Sequence, residues 1–225
     1  MTAVKVCGVA TPEMVRHAAE CGADWVGFVL VPASPRNVLG DEGPGRFDLF
    51  ADLVSAAREA EVKSVALVVD ADARTLIALA GAQQPDVFQF HGEETPDFIE
   101  AFAGDLAPPI EVWKALAVST PADLERAGDY EAADRLLLDA RPPKGAARTG
   151  GHGAAFDWSL LEGWRAPKPW LLAGGLNPEN VAGAVERTRA PAVDVSSGVE
   201  TAPGVKDASR IAEFIRAAKG PRNNG

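Results

Sequence analysis

Eight short apolar runs rich in β-branched residues, spaced by stretches each long enough for a helix and a return loop, constrain this chain more than any other feature. They are Val4–Val9, Trp25–Val31, Ser64–Val69, Val87–His91, Glu111–Ala117, Arg135–Asp139, Trp170–Ala173 and Ala192–Ser196. Spacers of that length favour crossovers to parallel strands over hairpins. Several runs, such as Val65-Ala-Leu-Val-Val69, are apolar on both parities, as strands buried on both faces must be. Between the runs, Thr11-Pro12-Glu13, Thr95-Pro96-Asp97, Thr120-Pro121 and Asn177-Pro178-Glu179 mark helix starts. Each supplies a capping oxygen and a proline where no N–H would be bonded, and most add an acid facing the positive end of the helix dipole. Helices are expected at about 12–21, 47–60, 72–80, 96–103, 121–128, 157–163, 178–188 and 207–218.

Eight β/α units in 225 residues fit an α/β fold of the closed, all-parallel (β/α)₈ TIM-barrel type, spanning residues 1–219 as one domain with a frayed tail at 220–225. An open doubly wound sheet is the competitor, but Cys7-Gly8-Val9-Ala10-Thr11 lacks its Gly-rich turn. Cys7 and Cys21 lie in different settings and form no disulfide framework. With neither an export signal nor an apolar stretch of membrane-spanning length, the expected location is the cytoplasm, with no membrane partner. A net charge of −10 argues against nucleic acid as a partner and requires a local basic site for any anionic substrate.

In a barrel of this type the chemistry sits at the C-terminal ends of the strands. Cys7 ends the first run and is open to three readings: nucleophile, proton carrier or small apolar filler. Asp139 closes Leu136-Leu-Leu-Asp139; poor solvation there favours the proton-donating form, while a turn cap or a pair with Arg141 is the plain alternative. Arg36, in Ser34-Pro-Arg36, suits a carboxylate held by two parallel N–H···O bonds or is a surface arginine. His91 is a proton carrier or a support for its loop. Gly174-Gly175 after the seventh run and Ser197-Gly198 after the eighth suit a phosphate bound by backbone amides. The loop 141–153 carries three cations and four glycines, enough to close over an anion. The stretches 32–46 and 140–155 are candidate substrate loops. Lys5, Lys114 and Asp194 are charges within apolar strands and read as an ion-pair network inside the barrel. His17, His91 and His152 have no metal-ligand spacing, so no metal is expected.

Seven motifs in order resemble the phosphoribosylanthranilate isomerase family, across almost the whole chain. They are Lys5-Val-Cys-Gly8; Gly27-Phe-Val with Ser34-Pro-Arg36; Gln89-Phe-His-Gly-Glu93; Leu136-Leu-Leu-Asp139; Gly150-Gly-His-Gly153 with Phe156-Asp-Trp158; Leu172 to Val181; and Val193 to Glu200 with Pro203 to Asp207. The family has threonine where this chain has Ala10 and Ala140. The resemblance implies a (β/α)₈ barrel that performs an Amadori rearrangement on an aminated ribose 5-phosphate in tryptophan biosynthesis, without cofactor or metal. It implies that Cys7 is the general base, Asp139 the general acid, and Arg36 the ligand of the anthranilate carboxylate. Gly174, Gly175, Ser197 and Gly198 would hold the phosphate, with His91 and Gly151 also at the substrate. Its partner would be an anionic phosphorylated small molecule, and the protein a monomer or homodimer. A base in that role predicts a partly exposed Cys7 thiol. A non-catalytic phosphate-ligand binder and a metal-dependent sugar-phosphate epimerase are the competing functions.

Overall fold

A computed structural model of the chain describes residues 1–39, 47–105, 110–140 and 157–220. Eight parallel strands close into a barrel in sequence order. They are β1 (Ala3–Cys7), β2 (Trp25–Val29), β3 (Lys63–Val68), β4 (Val87–Phe90), β5 (Glu111–Val118), β6 (Arg135–Ala140), β7 (Trp170–Leu172) and β8 (Ala192–Val195). The barrel closes where β8 pairs with β1, Lys5 lying opposite Asp194. Around it run α1 (Pro12–Cys21), α2 (Asp48–Glu59), α3 (Ala73–Gln83), α4 (Pro96–Asp105), α5 (Pro121–Glu125), α6 (Val181–Thr188) and α7 (Ala208–Lys219). A small antiparallel hairpin, β9 (Glu200–Ala202) with β10 (Val205–Lys206), follows β8. No described helix is long and apolar enough to cross a membrane.

The helix starts follow the capping chemistry. Thr11 Oγ1 accepts from the Met14 amide at 3.2 Å and Thr95 Oγ1 from Phe98 at 3.3 Å, and Thr120 forms a capping box with Asp123. Two expected helices differ. The Asn177-Pro178 segment is a turn in which Asn177 Oδ1 accepts from the Glu179 and Asn180 amides, so α6 begins only at Val181. Over 157–163 there is a single 3₁₀ turn, Trp158–Leu161, started by Asp157 and followed by Gly163 at φ 76°. Several strands are one or two residues shorter than their apolar runs. β1 stops at Cys7 because Gly8 turns left-handed (φ 76°) and the Gly8 and Val9 amides both donate to Gly27 O, at 2.8 and 3.0 Å.

Strand periodicity sorts the side chains into two cores. Inside the barrel lie Trp25, Val65, Val87, Trp113, Leu137, Leu171 and Ala192, with Cys7, Val29 and Leu67 towards the mouth. The Trp25 and Trp113 rings meet edge to face at 5.3 Å, and the Arg135 guanidinium lies against both. The opposite parity packs against the helices, as where Phe88 and Phe90 meet Phe98 and Phe102 of α4. At the other rim an aspartate precedes three of the even-numbered strands, and each accepts from the backbone of the strand before. Asp24 takes the Val4 amide at 2.8 Å, Asp86 the Ser64 amide at 2.7 Å and Asp134 the Val112 amide at 2.7 Å.

Lys5, Lys114 and Asp194 belong to two separate pairs rather than one network. Lys5 Nζ meets Asp194 Oδ1 at 2.8 Å, and Lys114 Nζ meets Glu94 Oε2 at 2.8 Å and donates to Gly92 O at 2.6 Å. Glu94 also accepts from the Asp70 and Gly92 amides, tying the loops after β3 and β4 together. Lys114→Met strands the Glu94 carboxylate in the interior, so it is expected to lower the free energy of unfolding by about 3–5 kcal/mol. Adding Glu94→Gln recovers part of that loss. Urea denaturation of the single and double variants measures both.

Candidate active site

The ends of β1, β6, β7 and β8 and the loops after β2 and β4 surround one pocket at the C-terminal mouth. Cys7, Arg36, His91, Asp139, Gly174, Gly175 and Ser197 all line it. Its other walls include Val29, Val31, Leu67 and Val69 on one side and Ser196 and Asp194 on another. Gly198 is not among the lining residues. It packs behind them, where a Cβ would overlap the Leu176 carbonyl oxygen, so the loops after β7 and β8 touch only because residue 198 is glycine. Gly151, Arg141 and the rest of the loop 141–153 lie outside the described residues.

Cys7 is more buried than expected, at 3 % exposure, because the strand ends directly beneath the Gly8 turn. Apolar packing does not seal it off: the thiol borders the pocket and has charged neighbours. A Cβ on Gly27 would lie 3.0 Å from Cys7 Sγ and 3.1 Å from Lys5 Nζ, so the bare glycine in β2 makes room for both groups. Burial pushes the thiol pKa up; the Lys5 and Lys206 charges pull the other way, and Asp194 adds to the rise. Lys5 ends above the usual lysine range although burial opposes its charge, because Asp194 and Cys7 both favour the ammonium form.

Asp139 faces inward from β6, with the same parity as Leu137. Its Oδ2 lies 3.2 Å from His91 Nε2, and His91 Nδ1 lies 3.1 Å from Gln89 Nε2. With Gln89 donating to Nδ1, His91 donates through Nε2 to Asp139 Oδ2. Gln89 is fully buried inside the barrel. It therefore holds the imidazole from below.

Arg36 is not a free surface residue. Its Nε and Nη2 donate to Glu200 Oε1 and Oε2, both at 2.7 Å, and Lys206 Nζ donates to the same Oε1 at 2.6 Å. Burial works to raise the Glu200 carboxyl, but the Arg36 hydrogen bonds and the Lys206 charge outweigh it and hold it below the usual range. Burial brings the Lys206 ammonium down despite Glu200. Sequence reasoning gave Glu200 and Lys206 no part in the site. The signal was Pro203-Gly204, a turn dipeptide between two short polar-apolar segments, which marks the hairpin.

Opposite Arg36, Gly174 and Gly175 are both left-handed, at φ 83° and 68°, and Asn180 Nδ2 donates to Gly175 O at 3.0 Å. These turns put backbone amides at the mouth, beside the 3₁₀ turn Ser197–Val199. Among the described residues, no three His, Cys, Asp or Glu side chains gather as a set of metal ligands.

Residues 4–217 match the family model described as N-(5'phosphoribosyl)anthranilate (PRA) isomerase. The chain belongs to that family. It is 50% identical over 219 residues to the N-(5'-phosphoribosyl)anthranilate isomerase of Rhodospirillum rubrum, covering 97% of this chain and 98% of the relative. Among solved structures, monomers of the dimeric phosphoribosylanthranilate isomerase of Thermotoga maritima superpose with a TM-score of 0.80 at 37% identity, covering 98% of this chain and 100% of that one. A crystal structure of phosphoribosyl anthranilate isomerase in complex with reduced 1-(o-carboxyphenylamino)-1-deoxyribulose 5-phosphate gives a TM-score of 0.77 at 36% identity with the same coverage.

The raised thiol pKa has a direct readout. In a Cys21→Ser background, alkylation of Cys7 by iodoacetamide is expected to rise with a pH midpoint above that of an ordinary cysteine. A midpoint at or below the ordinary value would mean that the Lys5 and Lys206 charges outweigh burial.

Proposed function

We propose that this chain converts N-(5'-phosphoribosyl)anthranilate to 1-(2-carboxyphenylamino)-1-deoxyribulose 5-phosphate, an Amadori rearrangement, with Asp139 as general acid and Cys7 as general base. One observation carries the reading: Cys7 and Asp139 line a single pocket that has a guanidinium at one end and glycine and serine turns at the other. Around the mouth the order is Asp139 on β6, Gly174-Gly175 after β7, Ser196-Ser197 after β8, Cys7 on β1 and Arg36 after β2. A phosphate at the β7 and β8 turns and a carboxylate at Arg36 would stretch the ligand between them. Its ribose then lies between acid and base, and its aromatic ring lies against Val29, Val31, Leu67 and Val69.

The chemistry needs two proton transfers of opposite sense. Asp139 gives its proton to the ring oxygen, the C1–O bond breaks, and the nitrogen lone pair forms an iminium at C1. Asp139 is now a carboxylate with the His91 hydrogen bond at Oδ2 to stabilise it. Cys7, as thiolate, removes the C2 proton, and the electron pair of that C–H bond becomes the enolamine. Proton return from the Cys7 thiol to C1, with loss of the C2 hydroxyl proton to the Asp139 carboxylate, yields the ketone and restores both groups, so the sum is an isomerisation with no redox partner. A buried thiol is a poor base until a cation approaches it. The iminium supplies such a cation at the step that needs it, adding to Lys5 and Lys206.

Cys7→Ser and Asp139→Asn are each expected to lower kcat by about 10²- to 10⁴-fold while leaving the unfolding midpoint close to that of the parent. Turnover is followed by the loss of phosphoribosylanthranilate fluorescence, with and without chelator. Parent-like turnover in either variant would sink the assignment of roles. Absence of turnover in the parent would leave a ligand-binding barrel, and loss on chelation would point to the metal-dependent alternative.

A further inference from the structure

We infer that Glu200 is a positioning residue that presets Arg36 for a carboxylate on the ligand. The inference rests on the isomerase reading and adds to it a residue that does not line the pocket. Arg36 belongs to the irregular segment after β2, where no helix or strand restrains it. An arginine side chain there carries about 2 kcal/mol of rotamer entropy. Glu200 removes that freedom beforehand. Both of its oxygens accept from the guanidinium at 2.7 Å, a side-on fork, and the two side chains are only 12 % and 4 % exposed.

The hairpin is built to hold Glu200 there. Lys206, on the facing strand, donates to Glu200 Oε1 at 2.6 Å and to Ser196 O at 3.0 Å, which anchors the hairpin to the end of β8. A Cβ on Gly204 would overlap the Pro35 carbonyl oxygen, so the hairpin turn sits flush against the Ser34-Pro-Arg36 segment. Charge completes the argument. An Arg–Glu pair alone would be neutral and a poor anion site, but with Lys206 the cluster of two cations and one anion keeps one net positive charge. Of the five guanidinium N–H groups, Glu200 takes two. The three that remain, on Nη1 and Nη2, belong to a side chain that lines the pocket. The fork is thus divided: one edge is fixed to the protein and the other is left for the ligand.

The test compares two probes, reduced 1-(o-carboxyphenylamino)-1-deoxyribulose 5-phosphate and the same compound without the ring carboxylate. Glu200→Gln keeps the shape and removes the charge. It is expected to weaken the carboxylate probe about tenfold, the order lost when the ligand must itself order one rotamer-rich side chain, and to leave the other probe unchanged. KM rises correspondingly with kcat nearly constant, Glu200→Asp falls between, and in an Arg36→Met background Glu200→Gln has no further effect on the ratio of the two affinities. If Glu200→Gln fails to fold, Glu200→Asp provides the comparison, because it keeps the charge and shortens the arm that holds the guanidinium. Equal weakening of both probes, no change in either, or tighter binding of the carboxylate probe overturns the inference. If the parent protein binds both probes equally, the carboxylate role of Arg36 fails instead, whatever the Glu200 variants do.

Discussion

An ammonium and a carboxylate face each other across the seam where the first and last strands meet. Lys5 and Asp194 are direct register partners in the β1–β8 pairing, and their side chains bond at 2.8 Å inside the barrel. Taking both charges out of water is costly, and the pair tolerates it only because each satisfies the other. Cys7 is two residues beyond Lys5 with the same inward parity, so the ion pair that closes the barrel also forms the floor beneath the thiol. Closure and site electrostatics are one arrangement here. Neither charge can be removed without leaving its partner unpaired in the barrel interior.

A chain with a net charge of −10 needs local cations if its mouth is to take the proposed anionic ligand. The global field repels an anionic ligand, and local cations must offset it. Lys5, Lys206 and Arg36 all stand along the β8–β1–β2 side, two of them committed to Glu200 and one to Asp194. On the opposite side, among the described residues, the Gln89–His91–Asp139 chain has no lysine or arginine in its hydrogen bonds. The asymmetry suits the proposed division between an acid at Asp139 and a base at Cys7.

The order of strands and helices was legible in the residues because barrel strands are buried on both faces and because Thr-Pro starts are local signals. Boundaries were less so. The apolar run of β1 continues to Val9, yet the strand ends at Cys7, since a left-handed Gly8 is decided by the turn and not by hydrophobicity. The helix expected at 157–163 gave way to a 3₁₀ turn with glycine at its end. Partners were the hardest part. Lys114 and Lys5 were both readable as charges in need of company, but nothing near Lys114 in sequence points to Glu94, and nothing near Arg36 points to Glu200, 164 residues on. Such contacts follow from barrel closure, which brings the loop after β8 beside the loop after β2. The depth of Cys7 was misjudged for a related reason: burial at a strand end depends on how tightly the next turn folds over it.

The aspartates on the lower rim carry a different consequence. Asp24, Asp86 and Asp134 each reach back only 20 to 22 residues to the preceding strand, and each fixes one odd strand against its even neighbour. Closing so short a loop costs little chain entropy compared with closing the whole circle. The barrel therefore has three quarters whose alignment is fixed within each pair, independently of the β1–β8 seam. In that sense it is assembled from pre-indexed pieces, and the remaining quarter, β7 with β8, lacks the aspartate clasp and carries the glycine and serine turns of the pocket.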